Sequence, residues 1–279
     1  MPRLPIRLAI GATALAATAV ATAAGAPGKP ATAAAPLVIA HRGAAHRAPE
    51  NTLAAVDAAH RLGRVWVEND VQRTKDGQLI VMHDATLRRT TDAATLFPGR
   101  APWRVGDFTA ADIARLDAGS WFGKRFAGER VPTLTGYLRR LERNGQALLL
   151  ELKTPARYPG IEAQTVALLR KEGWLDRAHT GRRLVVQSFC VPCVRTVHAL
   201  VPQVRTGVLG APRVRDLARY ARFADEINPP MAQARPAWVA AVHRLRGPHG
   251  RPLEIYAWGS GADAGAPAAA ARGIEGVVA

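Results

Sequence analysis

The chain has 279 residues, enough for one substantial core of barrel size, and a formal charge of +16 from 38 Lys and Arg against 22 Asp and Glu. Two cysteines exclude a four-cysteine zinc site, and basic residues are nowhere interleaved with aromatics as in a nucleic-acid module, so no nucleic-acid partner is expected. A charge of this sign favours polyanions, either an anionic membrane surface or a phosphate-rich wall polymer, with a merely solvated arginine-rich surface as the plainer alternative.

Arg3 and Arg7 precede an apolar run over residues 8–20, and Ala21-Thr22-Ala23 offers a small-residue cleavage site, the pattern of a secretory signal peptide. The run is shorter than the ~20 apolar residues a membrane span needs. Residues 1–36 are therefore expected to be signal peptide and an Ala/Pro/Gly-rich linker, the mature protein to be exported, and the folded domain to occupy 37–279.

The first strand, residues 37–40, ends in His41-Arg42-Gly43. Pro49-Glu50-Asn51-Thr52 then opens a helix with Leu53, Val56, Ala59, His60 and Leu62 on one stripe and Gly63 as its stop. The next strand, residues 65–71, carries Glu68 and Asp70 two apart, hence on one face. Two carboxylates so placed repel each other unless something positive sits between them, and a hard divalent cation with oxygen ligands is the usual answer. Thr74-Lys75-Asp76-Gly77 signals a tight turn, so the run 79–82 should pair antiparallel and bring His83-Asp84 level with Glu68 and Asp70. Imidazoles, carboxylates and arginine gathered at strand ends describe a metal-assisted phosphate-ester site.

Residues 85–130 are too long for an ordinary connection and read as an insertion after the His83-Asp84 strand. Its Thr109 caps a short helix, and Trp121 and Phe122 either wall the cleft or fill a satellite core. Strands follow at 147–152, 184–188, 206–209, 226–228, 253–258 and 273–278, with helical segments at 161–171, 194–200, 214–223 and 237–245. Setting the hairpin partner aside leaves eight parallel strands, which predicts an α/β fold, a TIM (β/α)8 barrel whose site lies at the C-terminal strand ends. Glu151 and Lys153 close one such buried strand, two apart, where an internal salt bridge competes with a direct role. Cys190-Val191-Pro192-Cys193 is expected to form a local disulfide rather than a redox centre.

His41-Arg42-Gly43, Pro49-Glu50-Asn51-Thr52, Glu68-x-Asp70 and His83-Asp84 with Leu87-x-Arg89-Thr90-Thr91 resemble, in order and spacing, the glycerophosphodiester phosphodiesterase family. Val131-Pro132-Thr133-Leu134, Glu151-x-Lys153 and Gln187-Ser188-Phe189 extend the resemblance. It implies hydrolysis of a small glycerophosphodiester to an alcohol and sn-glycerol 3-phosphate. One divalent ion would be held by Glu68, Asp70 and Glu151, with Ca²⁺ favoured over Mg²⁺. Arg42 and Lys153 would bind the phosphate, Trp258 would stack on the glycerol, and His41 and His83 would be the general acid–base pair. Glu50 is expected behind Arg42, orienting the site or approaching the metal. No serine or cysteine nucleophile accompanies the histidines, so attack by the substrate's own glycerol hydroxyl, through a cyclic phosphate, is expected. Two departures stand out: Trp258-Gly259-Ser260-Gly261 replaces the family's Trp-Thr-Val-Asn, and the sequence stops at Ala279 where a further Thr-Asp-x-Pro is common in the family. An altered substrate fit and an abrupt last strand are the expected consequences. The competing readings are a phospholipase D-type lipid phosphodiesterase on the same barrel and a catalytically idle binder of phosphate-rich wall polymer. The matched histidines weigh against the second.

Overall fold

Strands form wherever short β-branched runs meet turn residues: β1 (Leu37–Ile39), β2 (Trp66–Arg73), β3 (Leu79–Val81), β4 (Ala147–Leu152), β5 (Leu184–Ser188), β6 (Arg205–Leu209), β7 (Glu226–Asn228), β8 (Tyr256–Trp258) and β9 (Gly276–Val278). This computed structural model describes residues 1–2 and 35–279, so nearly all of the expected signal peptide and linker lies outside the described residues. No helix among the described residues is long and apolar enough to cross a membrane.

Two sheets run in the orders β3-β2-β4-β5-β6-β7 and β1-β9-β8, and every pairing is parallel except the β2–β3 hairpin. Parallel bridges join the sheets at both ends, Ala40 to Val67 at one and Glu226 to Glu254 with Pro230 to Trp258 at the other. Eight parallel strands thus follow one another around a circuit, the TIM barrel anticipated from the alternation of strand and helix. Alternation along the strands sends Val67, Val71, Leu148 and Leu150 to the helical layer, where they are buried with Val56, Tyr137, Leu138 and Leu169. Ile39, Leu149, Val185 and Val278 form a small separate apolar cluster among the strands.

Polar side chains gather at the strand starts, the end away from the His41 turn. Arg205, opening β6, lies 3.0 Å from Glu226 Oε1 and 2.5 Å from Glu254 Oε2, and the Tyr256 hydroxyl donates to Glu254 Oε2 at 2.9 Å. Burial pushes the Glu226 carboxyl up to about 7, against the opposing pull of Arg205.

Several boundaries differ from the sequence expectation for local reasons. The last strand begins at Gly276 rather than 273, because Gly273, at φ 67°, caps the preceding helix Ala262–Arg272. The segment 214–223 yields only a 3-10 turn and the short helix Leu217–Tyr220. The helix after β5 starts earlier than expected, at Val191, where the Cys190 side chain accepts from Cys193 N and the two cysteines are joined as a disulfide. The insertion has its own core, in which Leu87, Val105, Phe108, Ile113 and Leu116 pack on Ile80 and Met82 of the β3 segment. Its helix Ala110–Ala114 is closed by a Thr109–Asp112 capping box. Trp121 and Phe122 meet edge-on at 5.6 Å, and Phe122 meets Phe126 in the same way at 5.5 Å. They form an aromatic cluster in the insertion and are not among the residues lining the cleft described below.

Candidate active site

The turn after β1 holds two successive left-handed residues, Arg42 at φ 53° and Gly43 at φ 80°. A Cβ on Gly43 would lie 2.6 Å from Ala55 Cβ and 2.7 Å from its carbonyl carbon, so only glycine lets the helix Leu53–Arg61 approach this closely. The strained turn aims the Arg42 N–H at Glu68 Oε2, 2.8 Å away. Asn51, also left-handed at φ 60°, donates its Nδ2 to Asp70 Oδ2 at 2.7 Å. Thr52 then caps the helix.

Parallel register sets Asp70 of β2 opposite Glu151 of β4, and alternation adds Glu68 on the same face. All three carboxylates are buried, and each offers an oxygen within 4.8 Å of the others. Lys153 Nζ lies 2.8 Å from Glu151 Oε1 and 3.6 Å from Asp70 Oδ1, while Arg42 Nε stands 3.7 Å from Asp70 Oδ2. Burial first, and repulsion from Asp70 second, push Glu151 up to about 7 and Glu68 well above the carboxylate range. An all-oxygen, buried, mutually repelling donor set suits a hard divalent cation. Lys153 makes the internal salt bridge weighed at the sequence level and also lines the cleft.

His41 Nε2 accepts from Arg42 Nε at 3.2 Å and lies 3.9 Å from Glu68 Oε2. Burial, reinforced by the Arg42 charge, lowers its pKa to about 4, so the ring is neutral near neutral pH. His83 pairs Nδ1 with Asp84 Oδ1 at 2.7 Å, which leaves Nε2 available to the cleft. Arg89 joins the two halves. It donates to both oxygens of Asp84, at 2.6 and 2.9 Å, and to both oxygens of Glu50, at 2.8 and 2.7 Å. Glu50 in turn accepts from Arg42 at 2.9 Å. A continuous chain His83–Asp84–Arg89–Glu50–Arg42–His41 therefore links the two histidines. Hydrogen bonds from Arg89 hold Asp84 down at about 2; burial would raise Glu50, but Arg89 and Arg42 keep it below its ordinary value. Glu50 thus belongs to this chain and not to the carboxylate cluster. Sequence reasoning placed Arg89 in a motif without a role, since nothing in a lone arginine marks it as a double fork.

Across the cleft, Trp258 donates its Nε1–H to Asn228 O at 3.0 Å, and Phe189 meets it edge-on at 5.9 Å. Phe189 is 54% exposed, and Lys153 Nζ lies 5.9 Å from its ring centre. The sequence alone gives Phe189 no task. An exposed aromatic directly after a buried strand was the available signal. The cleft is lined by His41, Arg42, Glu68, His83, Glu151, Lys153, Phe189 and Trp258, among others.

Comparison with known proteins matches residues 41–279 to the model of the glycerophosphoryl diester phosphodiesterase family. A Bacillus subtilis relative, provisionally named a glycerophosphodiester phosphodiesterase, is 34% identical over 246 residues, covering 86% of this chain and 93% of its own. A glycerophosphodiester phosphodiesterase of Caldanaerobacter subterraneus is 38% identical over 174 residues, 62% of this chain and 66% of its own. Among solved structures, an Oleispira antarctica phosphodiesterase in complex with the product sn-glycerol-3-phosphate superposes with a TM-score of 0.74 at 27% identity, covering 88% of this chain and 92% of that one.

Proposed function

This chain belongs to the glycerophosphoryl diester phosphodiesterase family and is an enzyme of that class, and we propose that it hydrolyses small glycerophosphodiesters to an alcohol and sn-glycerol 3-phosphate by His41/His83 acid–base catalysis. The observation that carries this reading is the buried Glu68–Asp70–Glu151 cluster beside Arg42, in a cleft that His41 and His83 also line. The product in the Oleispira antarctica complex agrees with it.

The proposed cofactor is one Ca²⁺ in preference to Mg²⁺, because carboxylates from two strands offer the irregular oxygen set that Ca²⁺ accepts more readily than octahedral Mg²⁺. When bound by Glu68, Asp70 and Glu151, the ion supplies positive charge to a phosphoryl oxygen. Arg42 holds the phosphoryl group, pre-aligned by Glu50. Neutral His41 takes the proton of a glycerol hydroxyl, whose oxygen forms a bond to phosphorus as the bond to the alcohol oxygen breaks. His83 delivers a proton to that departing oxygen. Water then opens the cyclic phosphate with the two roles exchanged. Phe189 and Trp258 flank the glycerol.

The mature protein is further proposed to work outside the cytoplasm, after removal of the segment bearing Arg3 and Arg7, near anionic membrane or wall surfaces. An apolar lining around Trp121 and Phe122 would favour a lipid-diesterase reading, but neither residue lines the cleft. The test is release of glycerol 3-phosphate from glycerophosphocholine and glycerophosphoglycerol, with and without chelator, for wild type, His41→Ala and His83→Ala. Metal-dependent release lost in both variants is expected. Undiminished turnover of a diester lacking the adjacent hydroxyl would refute the cyclic route.

A further inference from the structure

The disulfide-closed turn Cys190–Cys193 stands between two concavities. Phe189, just before it, lines the catalytic cleft; Val191 and Pro192, inside it, line a separate groove of about 560 Å³ on the outer face of the barrel. The groove runs between the helix Val191–Leu200 and the segment Leu217–Tyr220 with the residues that follow it. Its polar lining is Arg195 and His198 from the first helix and Arg219, Tyr220 and Arg222 from the second segment, so three guanidinium groups face it. Among the described residues, none of these three guanidinium groups is paired with a carboxylate.

The acids nearest in sequence, Asp216 and Asp225, form no ion pair with these arginines among the described residues. Asp225 is committed to His249 Nδ1 at 2.8 Å and to the Thr206 N–H at 3.1 Å, and Glu226 and Glu254 are committed to Arg205. The aromatic floor consists of Tyr220 and Phe223, whose rings meet edge-on at 6.1 Å, and the Arg219 guanidinium lies 5.4 Å from the Tyr220 ring centre. Three like charges facing one concavity repel each other, a cost that an anion removes. Guanidinium forks match a phosphate in both charge and geometry, and several of them suit its three oxygens better than a single carboxylate. The apolar edge of Val191, Pro192 and Phe223 gives an organic substituent somewhere to lie. A flat bilayer would meet a convex patch, whereas this site is concave and of headgroup size.

We propose that this groove is a second binding site, outside the catalytic cleft, for a phosphate ester: Arg195, Arg219 and Arg222 hold the oxyanion, and Tyr220 and Phe223 carry its organic part. A soluble polyol phosphate and a lipid headgroup share this chemistry.

The test compares wild type with the triple variant Arg195→Gln, Arg219→Gln, Arg222→Gln. None of these residues lines the catalytic cleft, so diesterase turnover should be unchanged and serves as the check on folding. Calorimetric titration with inorganic phosphate and with sn-glycerol 3-phosphate should show two classes of site in wild type and one in the variant. The Arg42→Ala protein should retain the class that the triple variant lacks. Loss of charge-assisted bonds worth more than one neutral hydrogen bond each predicts affinity at the groove weakened by about tenfold or more. Sedimentation with phosphatidylglycerol-containing vesicles separates the sources. Retention by wild type that the variant loses assigns the lipid headgroup, and groove binding of glycerol 3-phosphate without vesicle retention assigns the soluble ester. Identical stoichiometry and affinity in wild type and variant for all three probes would overturn the proposal.

Discussion

Proton release on metal binding tests the carboxylate cluster most directly. Without a cation, burial and its neighbours hold Glu151 at about 7 instead of 4.5, and push Glu68 up as well. For Glu151 alone the shift corresponds to about 3 kcal/mol of lost hydration and repulsion, which a divalent ion would relieve. At about pH 6 Glu151 therefore carries its proton in the metal-free protein and must surrender it when Ca²⁺ enters. The sign follows: affinity rises with pH by about tenfold per unit for each proton displaced, and the Glu151 share of that rise ends above about pH 7. Calorimetric Ca²⁺ titrations in two buffers of different ionisation enthalpy count the protons. We expect at least one released at about pH 6 and about one fewer at about pH 8. A heat independent of buffer at the lower pH would mean that Glu151 is already ionised there, and the account of the cluster as a preformed, strained cation site would fail.

Three further outcomes are expected. Arg89→Ala should lower kcat about 10- to 100-fold, and Arg89→Lys should not restore it, because an ammonium cannot fork onto Glu50 and Asp84 together; a kcat within about twofold of wild type for either would remove Arg89 from the chain of residues that holds the two histidines. Gly43→Ala should cost about 2 kcal/mol or more in denaturant unfolding, since the new Cβ meets Ala55 at 2.6 Å on a left-handed backbone, and an unchanged unfolding midpoint would contradict that contact. Glu226, raised from 4.5 to about 7, binds its proton more tightly folded than unfolded. Its contribution of up to about 3 kcal/mol is complete below about pH 4.5 and lost as pH rises through about 7. Glu226→Gln should therefore show a smaller loss of stability than wild type between about pH 5 and pH 8 in thermal melts with chelator, and parallel curves would refute the assignment.

The strands and the face shared by Glu68 and Asp70 were legible because a period of two fixes both, and the hairpin at Asp76-Gly77 fixed the antiparallel partner that carries His83. That Asp70 faces Glu151 was legible only through the family resemblance, not from the residues themselves. It depends on the register between β2 and β4, which only the closed sheet sets. Arg89 and Phe189 escaped for a related reason. Each acts through geometry reached across many residues, Arg89 to Glu50 over 39 positions and Phe189 to Trp258 across the barrel mouth, and a one-dimensional pattern records neither. The short segment 214–223 read as a full helix because its apolar spacing fits one, yet Val214 ends exposed and the turn tightens to 3-10 before Leu217.

The departures at the C-terminal end weigh less on the site than the sequence suggests. Trp258 is not held by the Gly259-Ser260-Gly261 stretch that follows it. Its backbone N–H donates to Pro229 O at 3.1 Å and its indole N–H to Asn228 O at 3.0 Å, so β7 and the residues after it seat the ring. The last strand, expected to be abrupt, is paired along its whole length with β1 on one side and β8 on the other. Beyond it, Ala279 donates to Ile39 O and accepts from the His41 N–H, both at 3.0 Å. The altered tripeptide therefore changes one wall of the cleft, where Gly259 and Gly261 offer backbone in place of side chains. The residues proposed to move protons keep their support from β1, β2 and the Arg89 chain. Substitutions at residues 259–261 should accordingly shift KM among glycerophosphodiesters of different alcohols while leaving kcat for a given diester nearly constant, and a matching fall in kcat would show that this loop positions the reacting groups after all.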